Sequence, residues 1–520
     1  GQIFDRSNLR LATLPETITH PTCVSELMRN LELYWGNFAL FFASREEAAV
    51  YRDPSGSVPV YHCHDRGAGI FVSNAAFAAQ LGVLDHLGLD ERFVTHWLQY
   101  PFLRTRRTGL ERTTELLPGM LLTRRDPNSW VEVRAWHPSD FVGRGQEISD
   151  PKKASIQLRE TALSVVSKQS APRNVVLRLS GGLDSSIISA CLAHGELDFT
   201  CVNFVTRSRD GDEREYARAV AASFNVKLVE IGEPEICNLK APAKLEFQPT
   251  INPLLAPFEH AIAQSTAGLG ASLLIDGGGG DNLFCSITSA APVVDALLRG
   301  GPRETAVAVL DIAARANCTI WEVLGAATKR SVRHRPAWKE DRSFLASNAL
   351  LQKPEIHPWL EHLRVPPGKR EHVEALVHIQ HFLDRSELTT PLLHPLLAQP
   401  LLELCLRIPS WLWMRGGRDR AIAREAFNGL LPPSVLQRRM KGSLQGMLHR
   451  SFLRLREEMR ELLIEGELAR TGILDLQSLN AGLSRGACTT DEVQLRISEM
   501  VALEFWLRKW RSVPAASIDS

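Results

Sequence analysis

The most informative segment of the chain is Asn174–Ala190, which reads NVVLRLSGGLDSSIISA. A buried strand is predicted to end at Ser180-Gly181-Gly182, and a helix is predicted to begin near Asp184. The two glycines allow a tight turn whose backbone N–H groups are not shielded by a Cβ atom. Those groups and the helix N-terminus would attract an anion. An aspartate there would repel a phosphate unless Mg²⁺ bridges the two, so the pattern predicts a magnesium–phosphate site.

This loop differs from the GxxxxGK[ST] loop of kinases and GTPases because it lacks the lysine. The alternative interpretation is a serine-capped turn that binds nothing, and a bare Gly-Gly pair would favour it. The complete SGGLDSS sequence between a buried strand and a helix favours the phosphate site. Hydroxyl groups expected to line that site belong to Ser180, Ser185 and Ser186.

Strands and helices alternate around the loop from residue 152 onward. Predicted helices cover Ser155–Ser167, Ile187–Ala193 and Glu213–Phe224, and predicted strands cover Asn174–Leu179, Phe199–Val205, Lys227–Ile231 and Ser272–Asp276. Such alternation is typical of a parallel sheet with helices on both faces. After about residue 290 the pattern is mainly helical.

The first 140 or so residues have a different pattern, with short β-rich stretches separated by turn signals. These stretches are Leu31–Ala43, Glu47–Asp53, Gly69–Asn74, Phe93–Leu103 and the residues after Pro118-Gly119. A polar, Gly-rich connection follows at Val142–Pro151. We therefore predict two domains, residues 1–145 and 152–515.

Composition and charge exclude several classes of protein. The 520 residues include 60 Lys+Arg and 59 Asp+Glu, which argues against a nucleic-acid-binding or acidic-membrane-binding protein. No run approaches the roughly 20 apolar residues needed to span a bilayer, and no basic-then-apolar leader opens the chain. Nine scattered cysteines without a CxxC pair are typical of buried, reduced thiols. We expect a cytoplasmic protein that does not bind nucleic acid or insert into a membrane.

The SGGLDSS loop resembles the PP-loop of ATP pyrophosphatases, specifically that of the asparagine synthetase superfamily. In that family the loop holds the pyrophosphate of ATP while a substrate carboxylate attacks the α-phosphorus. Leu273–Phe284, LLIDGGGGDNLF, is similar to the family's Gly-rich turn that ends in a second Mg²⁺ ligand. The resemblance implies Mg²⁺ ligation by Asp184 and Asp281, with Cys201–Val205 flanking the adenine. It implies ATP contacts from Ser180, Gly181, Gly182, Asp184, Ser185, Ser186, Asn203, Phe204, Gly278 and Gly279.

The carboxy-terminal third also follows the family's order of motifs. The matching segments are His394–Pro409, Asp419–Pro432 and Ser434–Gly442. In the family a basic segment after Leu-Pro carries the catalytic lysine, and Lys441 resembles it, although a gapless alignment places it one residue late. The resemblance implies that Arg438, Arg439 and Lys441 neutralise the charge on the α-phosphate and the leaving pyrophosphate. A solvated basic run at a helix end is the alternative.

The segment from Arg52 to Tyr61 resembles the glutaminase domain that opens asparagine synthetases. The two resemblances together imply an α/β protein of two domains. The first is a glutaminase-like Ntn-type αββα domain, and the second is a PP-loop ATP pyrophosphatase domain with a parallel sheet and a helical C-terminal part. Relatives hydrolyse glutamine with an N-terminal cysteine. This sequence begins with Gly1 and has its first cysteine at Cys23. We therefore expect a degenerate glutaminase-like domain and an amine other than ammonia.

Three departures from asparagine synthetases indicate a particular branch of the superfamily. Gly278 stands where some relatives place an acidic or tyrosyl residue, and the family's Pro-Phe-Leu-Asp is Pro395–Ala398 here. The segments Glu355–Leu360 and Pro366–Arg370 have no counterpart in asparagine synthetases. With the carboxy-terminal motifs, they closely resemble lasso peptide cyclases over nearly the whole chain.

This resemblance implies an ATP-dependent macrolactam synthetase in lasso peptide biosynthesis. ATP and Mg²⁺ would serve to adenylate an Asp or Glu side chain of a leader-free precursor peptide. The peptide's N-terminal amine would then attack the acyl-adenylate, forming an isopeptide ring and releasing AMP and pyrophosphate. The segments His357–Arg370 and Arg415–Arg424 are expected to shape the peptide cavity. A leader peptidase and a leader-binding protein of the same pathway are the implied partners.

Two alternatives stay open. One is a β-lactam synthetase-like or asparagine synthetase-like ligase that acts on a small substrate. Gly278 argues against the β-lactam enzyme, which carries a tyrosine there. The other is a non-catalytic scaffold that binds a nucleotide. The combination of the SGGLDSS loop, Asp281 and Lys441 argues against it, because a scaffold needs no such set.

Overall fold

The computed structural model describes most of the chain, with short gaps. The described residues are 1–6, 21–65, 68–84, 88–126, 129–171, 173–249, 252–332, 338, 340–383, 390–439, 441–484, 486 and 490–513. Residues 514 and 515 of the predicted second domain therefore lie outside them, as does Cys488.

Strands of the amino-terminal part form antiparallel sheets. They are β1 (Gln2–Asp5), β2 (Tyr34–Asn37), β3 (Ala39–Ala43), β4 (Ala48–Arg52), β5 (Tyr61–Asp65), β6 (Ala68–Val72), β7 (Thr113–Glu115), β8 (Met120–Asp126) and β9 (Ser129–Arg134). β1 pairs with β2, a second sheet has the order β3-β4-β8-β9, and a third has the order β6-β5-β7. The predicted β-rich character of this region is confirmed.

The carboxy-terminal part contains the predicted parallel sheet. Its strands are β10 (Val175–Arg178), β11 (Phe199–Val205), β12 (Leu228–Gly232), β13 (Leu273–Ile275) and β14 (Leu392–Leu393). The order β12-β11-β10-β13-β14 shows that the chain runs outward from β10 to β12 and then crosses to β13 on the other side. Ligands of open parallel sheets bind where the strand order reverses in this way, beyond the carboxyl ends of the strands. The loops after β10 and β13 therefore lie beside each other at a natural binding crevice.

Helices pack around both groups of sheets and make up most of the chain after residue 290. The α-helices are Val24–Leu31, Ala75–Gln80, Glu91–Gln99, Pro151–Ser170, Leu183–His194, Arg214–Ser223, Ala256–Gly268, Gly280–Leu283, Ala291–Asp295, Pro302–Ala316, Ile320–Val332, Pro367–Gln380, Gln399–Arg407, Ala421–Ala426, Pro433–Gln437, Gln445–Ile464, Glu467–Arg470, Leu476–Leu483 and Asp491–Arg511. Within the described ranges, no helix is long and apolar enough to cross a membrane.

One predicted β-rich stretch, Phe93–Leu103, is wrong, because most of it belongs to the helix Glu91–Gln99. Asp90 starts this helix by accepting a hydrogen bond from the backbone N–H of Phe93 at 3.0 Å. A side chain that caps the first turn in this way stabilises a helix. Aromatic and β-branched residues within the stretch suggested a strand, but the aspartate cap and the tertiary packing override that preference.

The amino-terminal and carboxy-terminal parts share one continuous hydrophobic core. Phe4, Trp35 and Trp136 belong to the same buried cluster as side chains of the helices around the parallel sheet. Trp136 packs against Trp359 with ring centroids 5.1 Å apart, and the indole N–H of Trp359 donates to the carbonyl of Pro118 at 2.9 Å. The division into residues 1–145 and 152–515 stays a prediction.

Burial of the cysteines follows the prediction only in part. Five of the described cysteines are buried, namely Cys63, Cys191, Cys201, Cys285 and Cys405. Cys23 and Cys318 are half-buried. The prediction is wrong for Cys237, which is exposed and lies 3.8 Å from the guanidinium of Arg454.

The buried His357 makes stability depend on pH. Burial lowers the pKa of His357 to about 3. Its Nδ1 accepts the backbone N–H of Trp359 at 3.1 Å, and its Nε2 lies 2.9 Å from Gln380 Oε1. Because the folded-state pKa lies below the unfolded value of about 6.5, the unfolded state binds more protons between pH 6.5 and 3. The contribution of His357 to stability is therefore complete above pH 6.5 and falls as the pH decreases through this window.

We expect His357→Asn to flatten the dependence of the unfolding temperature on pH between 6.5 and 5. Asparagine can accept the Trp359 N–H but does not titrate. The variant therefore removes the contribution of His357 to the pH dependence of the unfolding free energy, which is on the order of 1 kcal/mol per pH unit. Thermal unfolding at several pH values measures it, and the exposed His260→Asn serves as the control. Equal slopes in the wild type and His357→Asn would contradict this account.

Candidate active site

The SGGLDSS loop joins β10 to the helix Leu183–His194 and is held by its own serines. The hydroxyl of Ser186 donates to the carbonyl of Gly182 at 2.7 Å, and the Gly182 N–H donates to Ser180 Oγ at 3.3 Å. Ser180 Oγ and Ser185 Oγ lie 3.2 Å apart. The predicted strand–turn–helix arrangement is confirmed.

Gly181 and the residues around it leave no room for a side chain. Its φ is +72°, in the left-handed region that favours glycine. A Cβ atom there would lie 2.6 Å from Tyr216 Cβ and 2.7 Å from the backbone nitrogen of Ala217. The loop therefore packs directly on the helix Arg214–Ser223 that follows β11.

We expect Gly181→Ala to raise the KM for ATP about tenfold and to destabilise the fold by about 1–2 kcal/mol, because the positive φ is unfavourable for alanine. The new methyl group must also displace the loop or the helix Arg214–Ser223. Steady-state kinetics and thermal unfolding measure the two effects. The control is Gly143→Ala, because a Cβ at Gly143 meets nothing within 4 Å. An unchanged KM for ATP would show that this turn does not hold the nucleotide.

The second loop follows β13 and brings Asp281 towards Asp184. Gly277–Gly280 form a turn, and Asp281 lies in the short helix Gly280–Leu283. A Cβ at Gly280 would lie only 2.4 Å from the carboxyl carbon of Asp184. The run of glycines thus lets the second loop approach the first closely.

A single cation contacts both aspartates. Arg420 Nη1 lies 3.1 Å from Asp184 Oδ1 and 2.5 Å from Asp281 Oδ1. Lys441 Nζ lies 3.2 Å from Asp281 Oδ2. Arg420 is mostly buried, with 11% of its side chain exposed, whereas Lys441 has 58% exposed. The site therefore places two carboxylates and two cations around one point.

The two carboxylates fit the Mg²⁺ that the sequence implies. Both are within reach of one cation, as the contacts of Arg420 Nη1 demonstrate. Across the described ranges, no group of three or more His, Cys, Asp or Glu side chains could hold a metal ion alone. Mg²⁺ is commonly bound through one or two carboxylates together with substrate phosphates and water. Asp184 and Asp281 match that donor set.

The charged groups of the site shift one another's pKa values. Burial raises the pKa of Asp184, the Asp281 carboxylate raises it further, and Arg420 and Lys441 oppose both effects. Burial would lower the pKa of Lys441, but Asp281 and Asp184 raise it above its ordinary value. Lys441 is therefore positively charged at neutral pH and available to bind phosphate oxygens.

The predicted basic residues Arg438 and Arg439 line the same cavity but differ in environment. The Arg438 guanidinium pairs with Glu213 Oε1 at 2.6 Å and donates to the carbonyl of Gly181 at 3.3 Å. It also lies over the ring of Tyr216 at 4.1 Å. Arg438 thus stabilises the SGGLDSS loop through its contact with Gly181, whereas Arg439 is exposed. A role for either in neutralising phosphate charge stays a prediction.

Asn203 and Phe204, on β11, also line the cavity. Asn203 Nδ2 donates to the carbonyl of Leu179 at 2.7 Å. Its Oδ1 is buried and accepts no hydrogen bond from the described residues. Phe204 packs edge-on against Phe258, with ring centroids 4.1 Å apart. Successive residues of a strand point to opposite faces of the sheet, so these two side chains border the cavity from different sides of β11.

One cavity of about 740 Å³ collects nearly all the predicted site residues. Those that line it are Ser180, Gly182, Asp184, Ser185, Asn203, Phe204, Gly278, Gly279, Asp281, Arg438, Arg439 and Lys441. The other two, Gly181 and Ser186, belong to the same loop but are buried. The arrangement offers a polyphosphate two carboxylates that can share a metal ion and cations close to the same loops.

Two aspects of the site were not anticipated. Arg420 lies between the two aspartates, although the sequence suggested only that its segment shapes the cavity. The segment His357–Arg370 was expected to shape a peptide cavity. Its residues His357, Trp359 and Lys369 are buried in the core and cannot do so. For the rest of the segment this stays a prediction. Lys369 Nζ donates to the carbonyl of Leu406 at 2.6 Å, which ties it to the helix Gln399–Arg407.

Comparisons with known proteins match the chain to one family model and to several solved structures. No curated protein matches the chain. A solved structure described as the allosteric regulatory enzyme of purine biosynthesis aligns at 12% identity and a TM-score of 0.17, over 50% of this chain and 61% of that one. This chain thus spans less than two thirds of that structure. Residues 158–508 match the asparagine synthase family, and this chain belongs to that family.

Proposed function

We propose that this protein is a lasso peptide cyclase, an ATP-dependent, AMP-forming macrolactam synthetase. The observation that carries the ATP chemistry is the convergence of Asp184, Asp281 and Lys441 on one cavity at the point where the strand order reverses. The cyclase assignment is supported by the motif resemblance in the carboxy-terminal segments. It is a narrower assignment within the asparagine synthase family.

In this proposal the phosphates of ATP lie on the SGGLDSS loop, and the adenine lies beside the carboxyl end of β11. Asp184 and Asp281 would hold Mg²⁺, which neutralises phosphate charge and makes the α-phosphorus more electrophilic. Arg420 and Lys441 would bind the oxygens on which negative charge increases during transfer. Preorganised charges of this kind provide most of the stabilisation in phosphoryl-type transfer.

A second cavity supports a substrate larger than a nucleotide. It has a volume of about 640 Å³ and lies along the helix Pro367–Gln380. Ala375 and Ile379 of this helix line the nucleotide cavity, whereas Val377 and His378 line the second one. The peptide would occupy the second cavity and reach the first past this helix.

The reaction proposed for these cavities begins when an Asp or Glu carboxylate of the peptide attacks the α-phosphorus and expels pyrophosphate. Activation is needed because a carboxylate is a poor acyl donor, whereas AMP is a good leaving group. The N-terminal amine of the same peptide then attacks the activated carbonyl. Well-oriented intramolecular reactions reach effective molarities of about 10⁵ M or more, so holding the peptide folded supplies much of the rate.

The proposal extends to the organisation of the chain and to its partners. The first part would be a degenerate glutaminase-like domain of the Ntn type, and the amine would come from the peptide. A leader peptidase and a leader-binding protein would deliver the leader-free peptide.

Nucleotide products measured with a panel of acceptors test the proposal. We expect AMP and pyrophosphate, in equal amounts, only with peptides that have a free N-terminus and an internal Asp or Glu. The same peptides with an acetylated N-terminus should give no ring. AMP formed with a small β-amino acid or with aspartate plus ammonia, and with no peptide, would favour the small-substrate ligases. Absence of AMP with every acceptor would favour the scaffold.

A further inference from the structure

The two aspartates of the active site contact a cationic nitrogen at every carboxylate oxygen. Arg420 Nη1 lies 3.1 Å from Asp184 Oδ1, 3.3 Å from Asp184 Oδ2 and 2.5 Å from Asp281 Oδ1. The fourth oxygen, Asp281 Oδ2, lies 3.2 Å from Lys441 Nζ. These four side chains therefore form a group whose formal charges cancel.

The segment around Arg420 fixes the position of its guanidinium. Arg420 Nε donates to Asp419 Oδ2 at 2.9 Å, and Arg424 lies 3.2 Å from the other oxygen of Asp419. The N–H of Gly417 donates to Asp311 Oδ1 at 3.1 Å, which ties the preceding turn to a neighbouring helix. Arg420 itself has a φ of +53°, a conformation that a residue other than glycine keeps only where its surroundings enforce it. The anchored segment thus directs Arg420 at both aspartates.

A metal ion that binds both carboxylates must compete with Arg420 for the same oxygens. Mg²⁺ requires oxygen ligands at about 2.0–2.1 Å in near-octahedral geometry, and it gives up its water reluctantly. Arg420 would also be a like charge close to the ion, and Asp184 is buried, so water screens this repulsion poorly. The free ion therefore gains little from the two aspartates while the guanidinium lies between them.

A polyphosphate changes this balance. Arg420 and Lys441 both line the nucleotide cavity, so phosphates on the SGGLDSS loop offer them a new anionic partner. Hydrogen bonds between arginine and phosphate are charge-assisted and often bidentate. When the two cations turn to the phosphates, the carboxylates become available to the ion that accompanies ATP. Nucleotide and metal ion then strengthen each other's binding, and such coupling is reciprocal.

We propose that Arg420, assisted by Lys441, excludes free Mg²⁺ from the site and admits the ion only together with ATP. This inference rests on the proposed function, specifically on its metal–ATP site. Arg420 is the counter-ion of the two aspartates before the nucleotide binds, and it is a phosphate ligand afterwards. The exchange makes and breaks no covalent bond.

Binding of Mn²⁺ in place of Mg²⁺, measured from the electron paramagnetic resonance signal of the free ion, tests the proposal without turnover. Without nucleotide, we expect Arg420→Gln to bind Mn²⁺ at least about tenfold more tightly than the wild type, because a close like charge is lost. Lys441→Met should tighten binding by about threefold, since this exposed lysine contacts one oxygen only. Arg418→Gln removes an exposed charge from the same segment and should bind as the wild type does.

The same titration with α,β-methylene-ATP, whose α–β bridge cannot be cleaved, measures the coupling between nucleotide and ion. We expect this nucleotide to tighten Mn²⁺ binding much more in the wild type than in Arg420→Gln, because the variant has no guanidinium to displace. Equal coupling in the two proteins would contradict the exchange of partners.

Equal Mn²⁺ affinities of the wild type and Arg420→Gln without nucleotide would overturn the proposal. An equally large effect of Arg418→Gln would assign the change to general loss of charge and would also overturn it. If thermal unfolding shows that Arg420→Gln is not folded, Lys441→Met decides, and an unchanged affinity in that variant overturns the proposal. Absence of Mn²⁺ binding to the wild type even with the nucleotide would instead refute the metal–ATP site of the proposed function.

Discussion

Asp184→Asn should reduce AMP formation by about 10³-fold while leaving the fold intact. Asparagine has nearly the same size, so the packing of this buried side chain is kept. The negative charge that faces Arg420 and that would hold Mg²⁺ is lost. Removal of a group that stabilises transition-state charge typically costs about 10²- to 10³-fold, and loss of a metal ligand adds to that cost.

Chromatographic assay of AMP, with thermal unfolding of the same sample, measures this effect. Asp198→Asn is the matched control. Asp198 is exposed and lies at the amino end of β11, whereas the site lies at the carboxyl ends of the strands. Near-wild-type AMP formation by Asp184→Asn would show that the metal assignment is wrong.

Lys441→Met should lower kcat by about 10²- to 10³-fold and change the KM for ATP much less. The ammonium group of Lys441 reaches the cavity from an exposed position and contacts Asp281 at 3.2 Å. Its charge should bind most strongly to the oxygens whose negative charge increases during transfer. An interaction made mainly in the transition state affects kcat more than KM.

Steady-state kinetics over a range of ATP concentrations separate the two parameters. Lys227→Met, an exposed lysine just before β12, controls for the general loss of a positive charge. A raised KM with an unchanged kcat would mean that Lys441 only binds the nucleotide.

Features set by local sequence were predictable. The strand Phe199–Val205 has the same bounds in the prediction and in the structure, because a short apolar run between turn signals leaves little ambiguity. The SGGLDSS loop was predictable for a related reason, since Gly181 has the positive φ and the close packing that require glycine. Two such loops after parallel strands must meet where the strand order reverses.

Features that depend on distant residues were not predictable. Arg420 contacts Asp184 from 236 positions away, and no local pattern marks it. The contact of His394 Nδ1 with Asp276 Oδ1, at 2.6 Å, depends on the register between β13 and the two-residue strand β14, which is too short to give a sequence signal. Helix Glu91–Gln99 is a different case, because its cap Asp90 is a local signal that the aromatic and β-branched residues of the stretch obscured.

Mass spectrometry of a linear peptide incubated with the protein, ATP and Mg²⁺ tests the central claim most directly. The peptide begins with glycine and carries one internal Asp or Glu, placed at graded distances across a panel. We predict that at least one member loses one water in step with AMP formation, and that Asp184→Asn produces no such product. AMP formation driven by a small β-amino acid, with every peptide unchanged, would contradict the account.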